Sequence, residues 1–356
     1  MTSKERILAI LNRQPVDRLP VDIWHTPEVV DFLKAHTGTT TDIEMWKALN
    51  LDKIVWVFMD YKSNAVGHPG TQTGSTVAGE RTLWGVPLKG IETGGAHYQE
   101  VVQPPMLDFE EISELEDYPY WPDPEQYDYE AAVALAKSAS KDFATIGPWV
   151  SFYEIYCQLR GIEQAMIDLA LEPEFVEACL DRIESIQTEM MKRYFDKAAD
   201  YLDLVFISDD IGGQNGLLFS PAMWKQHLQP RMKRWCDLVH SYGLKVLYHS
   251  DGGFEQIIQP LIDCGIDVLN PIQHVCPGMD TAELKKKFGN QIIFHGGIDT
   301  QKALPFGTPE DVRKETQHCL DTLGSDGTGY IVASCHNVQA GTPVENILAM
   351  IDTVTG

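Results

Sequence analysis

Lys245-Val-Leu-Tyr-His-Ser-Asp-Gly-Gly253 is a short apolar run that stops at a histidine, with a carboxylate two residues further on. A second run, Tyr330-Ile-Val-Ala-Ser-Cys-His-Asn337, stops at a thiol. Each reads as a buried strand that delivers a metal-competent side chain where the strand ends. Six further runs have the same character, at 19–24, 54–59, 145–150, 204–208, 268–272 and 292–296. Several are continuously apolar rather than alternating, as expected of strands covered on both faces. Helical patterns fill the gaps, notably 221–240, 281–288 and 310–323. Eight strands alternating with helices predict an α/β fold, a (β/α)8 TIM barrel. An open doubly wound sheet is the alternative, but no Gly-x-Gly-x-x-Gly turn follows the early strands.

The spacing of the runs predicts one barrel domain over 1–356, with an N-terminal helix and lead-in at 1–18. An excursion at 60–141 is inserted between the second and third strands. Its part at 63–95 is rich in Gly and Thr and predicts hairpins or loops. Its part at 103–129 is acidic, rich in Pro and Tyr, and predicts a surface excursion. Thr2 and Glu5 have capping-box spacing ahead of Ile7, Leu8 and Leu11.

Composition narrows the function. The 356 residues are 44% hydrophobic, enough for a sizeable core. No stretch approaches the roughly 18 apolar residues of a membrane span, and the N-terminus lacks a signal-peptide core. A net charge of −24 repels a phosphate backbone, so nucleic acid is not an expected partner. Seven scattered cysteines, without a secretion signal, predict reduced thiols in a cytoplasm. Cys179, Cys236 and Cys319 fall within helical patterns and read as small core residues. A homodimer is compatible with all of this.

In a barrel the site lies at the C-terminal ends of the strands. Those ends carry Asp22, Trp24 and His25; Asp60; Tyr153 and Glu154; Asp209, Asp210 and Gln214; His249 and Asp251; Gln273; His295 and Asp299; and Cys335, His336 and Asn337. His249, Asp251 and Cys335 together would suit zinc with one position open. Asp251 alone also suits an N-cap for a helix at 254–262. Glu154, Asp209 and Asp210 are the candidate catalytic acids, although one of the aspartates could simply anchor the Gly212-Gly213 turn. Gln214, His295, His336 and Asn337 are the candidates for contacting a cofactor or orienting a ligand.

Several spaced motifs carry a family resemblance along nearly the whole chain. They are Arg6-Ile-Leu-Ala-Ile-Leu-Asn12, Pro15-Val-Asp-Arg-Leu-Pro20, Tyr153-Glu154 with Leu159-Arg-Gly161, and Asp209-Asp210 with Gln214-Asn-Gly216. The C-terminal third adds Tyr248-His-Ser-Asp-Gly252, Phe294-His-Gly-Gly-Ile-Asp299, Leu304-Pro-Phe-Gly-Thr308 and Gly341-Thr-Pro-Val-Glu-Asn346. With these the chain resembles the uroporphyrinogen decarboxylase-like superfamily, and within it the corrinoid-dependent methyltransferases. The resemblance implies a TIM barrel, Zn2+, and a partner protein that presents a corrinoid (cobalamin). Two departures refine it. The decarboxylases grip substrate carboxylates with an N-terminal Arg-Gln-Ala-Gly-Arg segment; here Val21-Asp-Ile-Trp-His-Thr26 has no arginine. The thiol-methylating branch binds zinc through His-x-Cys and a distant Cys; here Asp251 replaces the first Cys. One carboxylate in place of a thiolate leaves a harder ion, better suited to polarising an oxygen. The expectation is an O-demethylase-type enzyme that moves methyl from an O-methyl donor, such as a methoxylated aromatic, to Co(I) of the corrinoid protein. Trp24, Trp149, Phe152 and Tyr153 would line the ring pocket. A methylcorrinoid:thiol methyltransferase is one alternative. A metal-free, decarboxylase-like lyase acting on a carboxylated substrate is another.

Overall fold

Seven strands pair in parallel into one curved sheet in the computed structural model, which describes residues 1–61, 81–93 and 96–356. Their order is Ile54–Trp56, Ala144–Val150, Leu204–Ser208, Lys245–His249, Val268–Asn270, Ile293–Ile298 and Tyr330–Ser334. The expected strand at 19–24 supplies the eighth stave without a continuous ladder. Asp22 N–H donates to Val332 O (2.8 Å) on the last strand, and Asp52 N–H donates to Val21 O (2.7 Å) beside the first. The segment therefore bridges both edges of the sheet and closes a TIM barrel.

Alternation along the strands sorts side chains into two cores. Leu204, Phe206, Leu247, Val268, Ile293 and Ile331 form one cluster inside the barrel. Val205, Ile207, Val246, Tyr248, Leu269, Phe294 and Val332 join the larger cluster under the outer helices. Both faces are thus buried, which explains the continuous apolar runs. Ile7, Ile10 and Leu11 of the helix Ser3–Leu11 belong to the inner cluster and plug the bottom of the barrel. That helix starts at the expected capping box, Thr2 with Glu5.

The helical pattern at 221–240 divides into Pro221–His227 and Gln229–Ser241. Pro230 sits in the first turn of the second helix, where its missing N–H is tolerated. Thr281–Phe288 matches its expectation, and Pro309–Thr322 matches to within a residue. Cys179, Cys236 and Cys319 are buried, as their positions in helices implied.

Within the excursion, Leu88–Thr93 and Ala96–Val101 form an antiparallel hairpin. The rest of the 63–95 expectation falls partly on 62–80 and 94–95, outside the described residues. The stretch 103–129 is less superficial than its acidity suggests. Met106, Tyr118, Tyr127 and Tyr129 are buried. Arg160 holds it down by donating to the carbonyls of Met106, Leu107 (3.1 Å) and Phe109 (2.8 Å). No helix among the described residues is long and apolar enough to cross a membrane.

Candidate metal centre at the barrel mouth

The alternation that fills the barrel with apolar groups ends in a polar layer. Two residues beyond Leu247 comes His249, two beyond Val268 comes Asn270, and two beyond Ile293 comes His295. All three are buried, Asn270 and His295 completely. Trp24 packs against both histidine rings at centroid distances of 5.8 and 5.3 Å and edge-on to Trp56 and Phe206, and Phe206 itself meets the His249 ring at 5.5 Å.

Above this layer the loops are pinned together. Asp251 N–H donates to Asp210 Oδ1 (2.9 Å), Gly252 N–H to Gln273 Oε1 (2.8 Å) and Gly253 N–H to Gly213 O (3.0 Å). Gly252 has φ +84°, and a Cβ there would lie 2.5 Å from Gly213 N; one on Gly212 would lie 2.4 Å from Asp251 O. Only glycines allow the two loops this close, so they set where Asp210 and Asp251 stand.

Among the described residues, His249, Asp251 and His336 bring their ligand atoms within 4.8 Å of one another. His249 Nε2 lies 3.9 Å from both Asp251 Oδ1 and Asp210 Oδ1, and His336 Nε2 lies 4.0 Å from Asp251 Oδ2. His249 is nearly buried, whereas Asp251 and His336 are partly open to solvent. Two imidazoles and one carboxylate facing an accessible side are a donor set that fits a zinc ion with a free position. Burial, with His249 nearby, pushes the His336 imidazole down from its ordinary value against the charges of Asp251 and Asp210, a shift toward the neutral form that a metal binds.

Cys335 stands differently from its neighbour. Its thiol donates to Ile272 O (3.2 Å), and burial, reinforced by Cys319, Asp299 and Glu315, raises it well above the ordinary thiol range. It nevertheless lines the same cleft of about 230 Å³ as Gln214, Asp251, Gln273, His336 and Asn337. None of the described residues lining that cleft is lysine or arginine. His295, an expected cofactor contact, lies beneath the cleft and is engaged by Asn270 and Asp22. Asp251 does not cap the following helix, which starts at Glu255 with Phe254 at its N-cap.

The acids divide by environment. Asp209 Oδ1 accepts from Ser151 Oγ (2.9 Å) and from the N–H groups of Phe152 (3.1 Å), Tyr153 (2.6 Å) and Glu154 (3.1 Å). It therefore anchors the start of the helix Tyr153–Arg160, and burial pushes it up to about 7 against those four donors. Glu154, carried by that helix start, accepts from Ser208 Oγ (2.9 Å). Burial, then the charges of Asp210, Asp209 and Asp251, push Glu154 up to about 8. Asp210 is half exposed and faces His249. Of the expected ring-pocket residues, Phe152 instead stacks on Trp235 with centroids 3.5 Å apart, and Tyr153 packs edge-on to Phe219. Both are fully buried.

Sequence reasoning passed over Asn270 and Ser208. Counting by two from Val268 and Phe206 would have placed both facing inward beside His249.

Comparisons with known proteins agree with this architecture. Residues 70–356 match the family described as Uroporphyrinogen decarboxylase (URO-D). The chain is 21% identical to the methylcobamide:CoM methyltransferase MtbA of Methanosarcina acetivorans, covering 99% of this chain and 97% of that protein. It is 23% identical to the uroporphyrinogen decarboxylase of Vibrio campbellii over 65% of each. A solved structure of a methyltransferase from Methanosarcina mazei superposes with a TM-score of 0.69 at 19% identity. That match covers 100% of this chain and 98% of the other, a likeness of fold.

Proposed function

The chain belongs to the uroporphyrinogen decarboxylase family, and from that premise we propose that it is a zinc-dependent methyltransferase working with a corrinoid protein. The methyl donor in this reading is an O-methyl compound, a methoxylated aromatic, and the acceptor is the partner's Co(I). The observation that carries it is the convergence of His249, Asp251 and His336 at the mouth of the barrel. Two methyltransferases among the relatives, each matching over 99% of this chain, support the reaction class. The cleft, without lysine or arginine among its described lining residues, argues against a substrate bearing many carboxylates.

Bound by these residues, zinc would supply a Lewis acid for the ether oxygen. His249 and Asp251 would hold it, with His336 as third donor. Cys335 is the competing third donor, favoured by its place on the same cleft. Glu154 holds a proton near neutral pH and delivers it to the departing oxygen; Ser208 fixes its orientation. Asp209 keeps the helix start that carries Glu154 in place. The nucleophile comes from the partner, so the protein's own task is positioning and charge stabilisation.

Zinc content after dialysis tests the site. Wild type retains one equivalent, and His249→Ala and His336→Ala lose it while Cys335→Ala keeps it. Loss in Cys335→Ala with retention in His336→Ala moves the third ligand to the thiol. Retention in His249→Ala removes the site altogether.

A further inference from the structure

Five buried groups run in one line from the metal centre to the opposite wall of the barrel. His249 Nδ1 meets Asn270 Oδ1 (2.5 Å), Asn270 Nδ2 meets His295 Nδ1 (2.7 Å), and His295 Nε2 meets Asp22 Oδ2 (3.2 Å). Asp22 Oδ1 in turn pairs with Lys53 Nζ (2.9 Å). None of the five is more than 4% exposed. Asp22 also accepts from Trp24 Nε1 (3.1 Å) and Ile23 N–H (2.8 Å). Burial raises its carboxyl, but Lys53 and His295 outweigh that and hold it down at about 2, so Asp22 is an anion.

The polarity of the line follows from chemistry alone. An ionised carboxylate only accepts, so His295 must present N–H at Nε2. Asn270 faces His295 with its NH2 group, which can only donate, so His295 Nδ1 is the acceptor and carries no proton. That choice turns the Asn270 carbonyl toward His249, which must carry its proton on Nδ1. The outcome is a bare His249 Nε2, directed at Asp251 and Asp210. Reversing any one bond reverses all of them and puts a proton on the atom that the metal needs.

We propose that Asp22, through His295 and Asn270, is a tautomer lock that sets His249 Nε2 as a permanent lone-pair donor. Asp22, Asn270 and His295 are positioning residues: none lines the cleft, and each acts through His249. The lock explains why a first-strand aspartate paired with Lys53 lies so deep in the barrel. It rests on the reading of His249 as a metal ligand only for its purpose, since the tautomer exists without metal.

The test is 15N-histidine NMR on the metal-free full chain, which distinguishes Nδ1–H from Nε2–H imidazoles. Wild-type His249 is expected as the Nδ1–H form. Asp22→Asn, whose amide can donate to His295, should raise the Nε2–H fraction of His249 and weaken zinc affinity about 10–100-fold in a chelator competition. Asn270→Leu should do the same if Asp22→Asn fails to fold. Adding Asn270→Asp to Asp22→Asn should restore the Nδ1–H form, because the introduced carboxylate accepts from His249 regardless of His295. A wild-type His249 protonated at Nε2 overturns the lock, as does an unchanged tautomer in folded Asp22→Asn and Asn270→Leu. The expected tautomers in a protein that holds no zinc would support the lock and sink the metal reading alone.

Discussion

Replacing Asp209 by alanine should cost the protein far more than replacing it by asparagine. One carboxylate oxygen accepts four hydrogen bonds where the helix Tyr153–Arg160 begins, from Ser151, Phe152, Tyr153 and Glu154. Alanine removes the acceptor. The Ser151 hydroxyl can turn elsewhere and Glu154 is partly open to water, but Phe152 and Tyr153 are buried and their N–H groups have nowhere to go. A buried donor left unmade costs about 1–3 kcal/mol, so two of them give a loss of about 2–6 kcal/mol. Asparagine keeps an oxygen at the same place and carries no charge to bury, so its loss should be about 1 kcal/mol or less. Urea unfolding followed by far-UV circular dichroism at neutral pH measures both. An alanine variant within about 1 kcal/mol of wild type would show that Asp209 does not anchor the helix. An asparagine variant as damaged as the alanine one would show that charge, not the acceptor, is what counts.

Gly252→Ala forces a side chain into a positive-φ position with backbone 2.5 Å away; it should cost at least about 2 kcal/mol in urea unfolding and weaken zinc binding, because Asp251 moves with the loop. Arg160→Met takes from buried Asp168 its cationic partner at 2.7 Å, leaving it only the Tyr156 hydroxyl and the Gln164 amide, and frees the 106–109 carbonyls; thermal or urea unfolding should register a loss of about 3–5 kcal/mol. His25 is pushed down to about 4 by burial and by Lys53. Its unfolded form therefore binds the extra proton first, so its contribution is complete above about pH 6.5 and is lost as pH falls toward 4. His25→Gln should flatten the melting temperature across that window, and an unchanged pH slope would refute the assignment.

The barrel was legible because strands covered on both faces must be apolar throughout, and runs such as 204–208 and 330–334 are. The 19–24 segment was placed correctly, yet its pairing is two isolated contacts rather than a ladder, which no residue pattern announces. His249 and Asp251 were readable from their i, i+2 spacing at a strand end. Whether residue 335 or 336 faces the centre was not, because the strand stops at Ser334 and alternation no longer governs direction beyond it. The anchoring role of Asp209 was hidden for another reason: its four donors lie more than fifty residues earlier in the chain. Asn270 escaped notice because an amide does not titrate and so is not an obvious partner for chemistry. The acidic stretch at 103–129 looked peripheral, but Tyr118, Tyr127 and Tyr129 bury their rings while most of its carboxylates stay in water.

The most direct test of the account is methyl transfer from a methoxylated aromatic to reduced cobalamin, followed by the visible spectrum of the cobalt. Zinc-loaded protein should convert Co(I) to methylcobalamin with release of the phenol, and metal-stripped protein and His249→Ala should not. Transfer that proceeds equally well without zinc, or that occurs only when a thiol is offered to methylcobalamin, would contradict it.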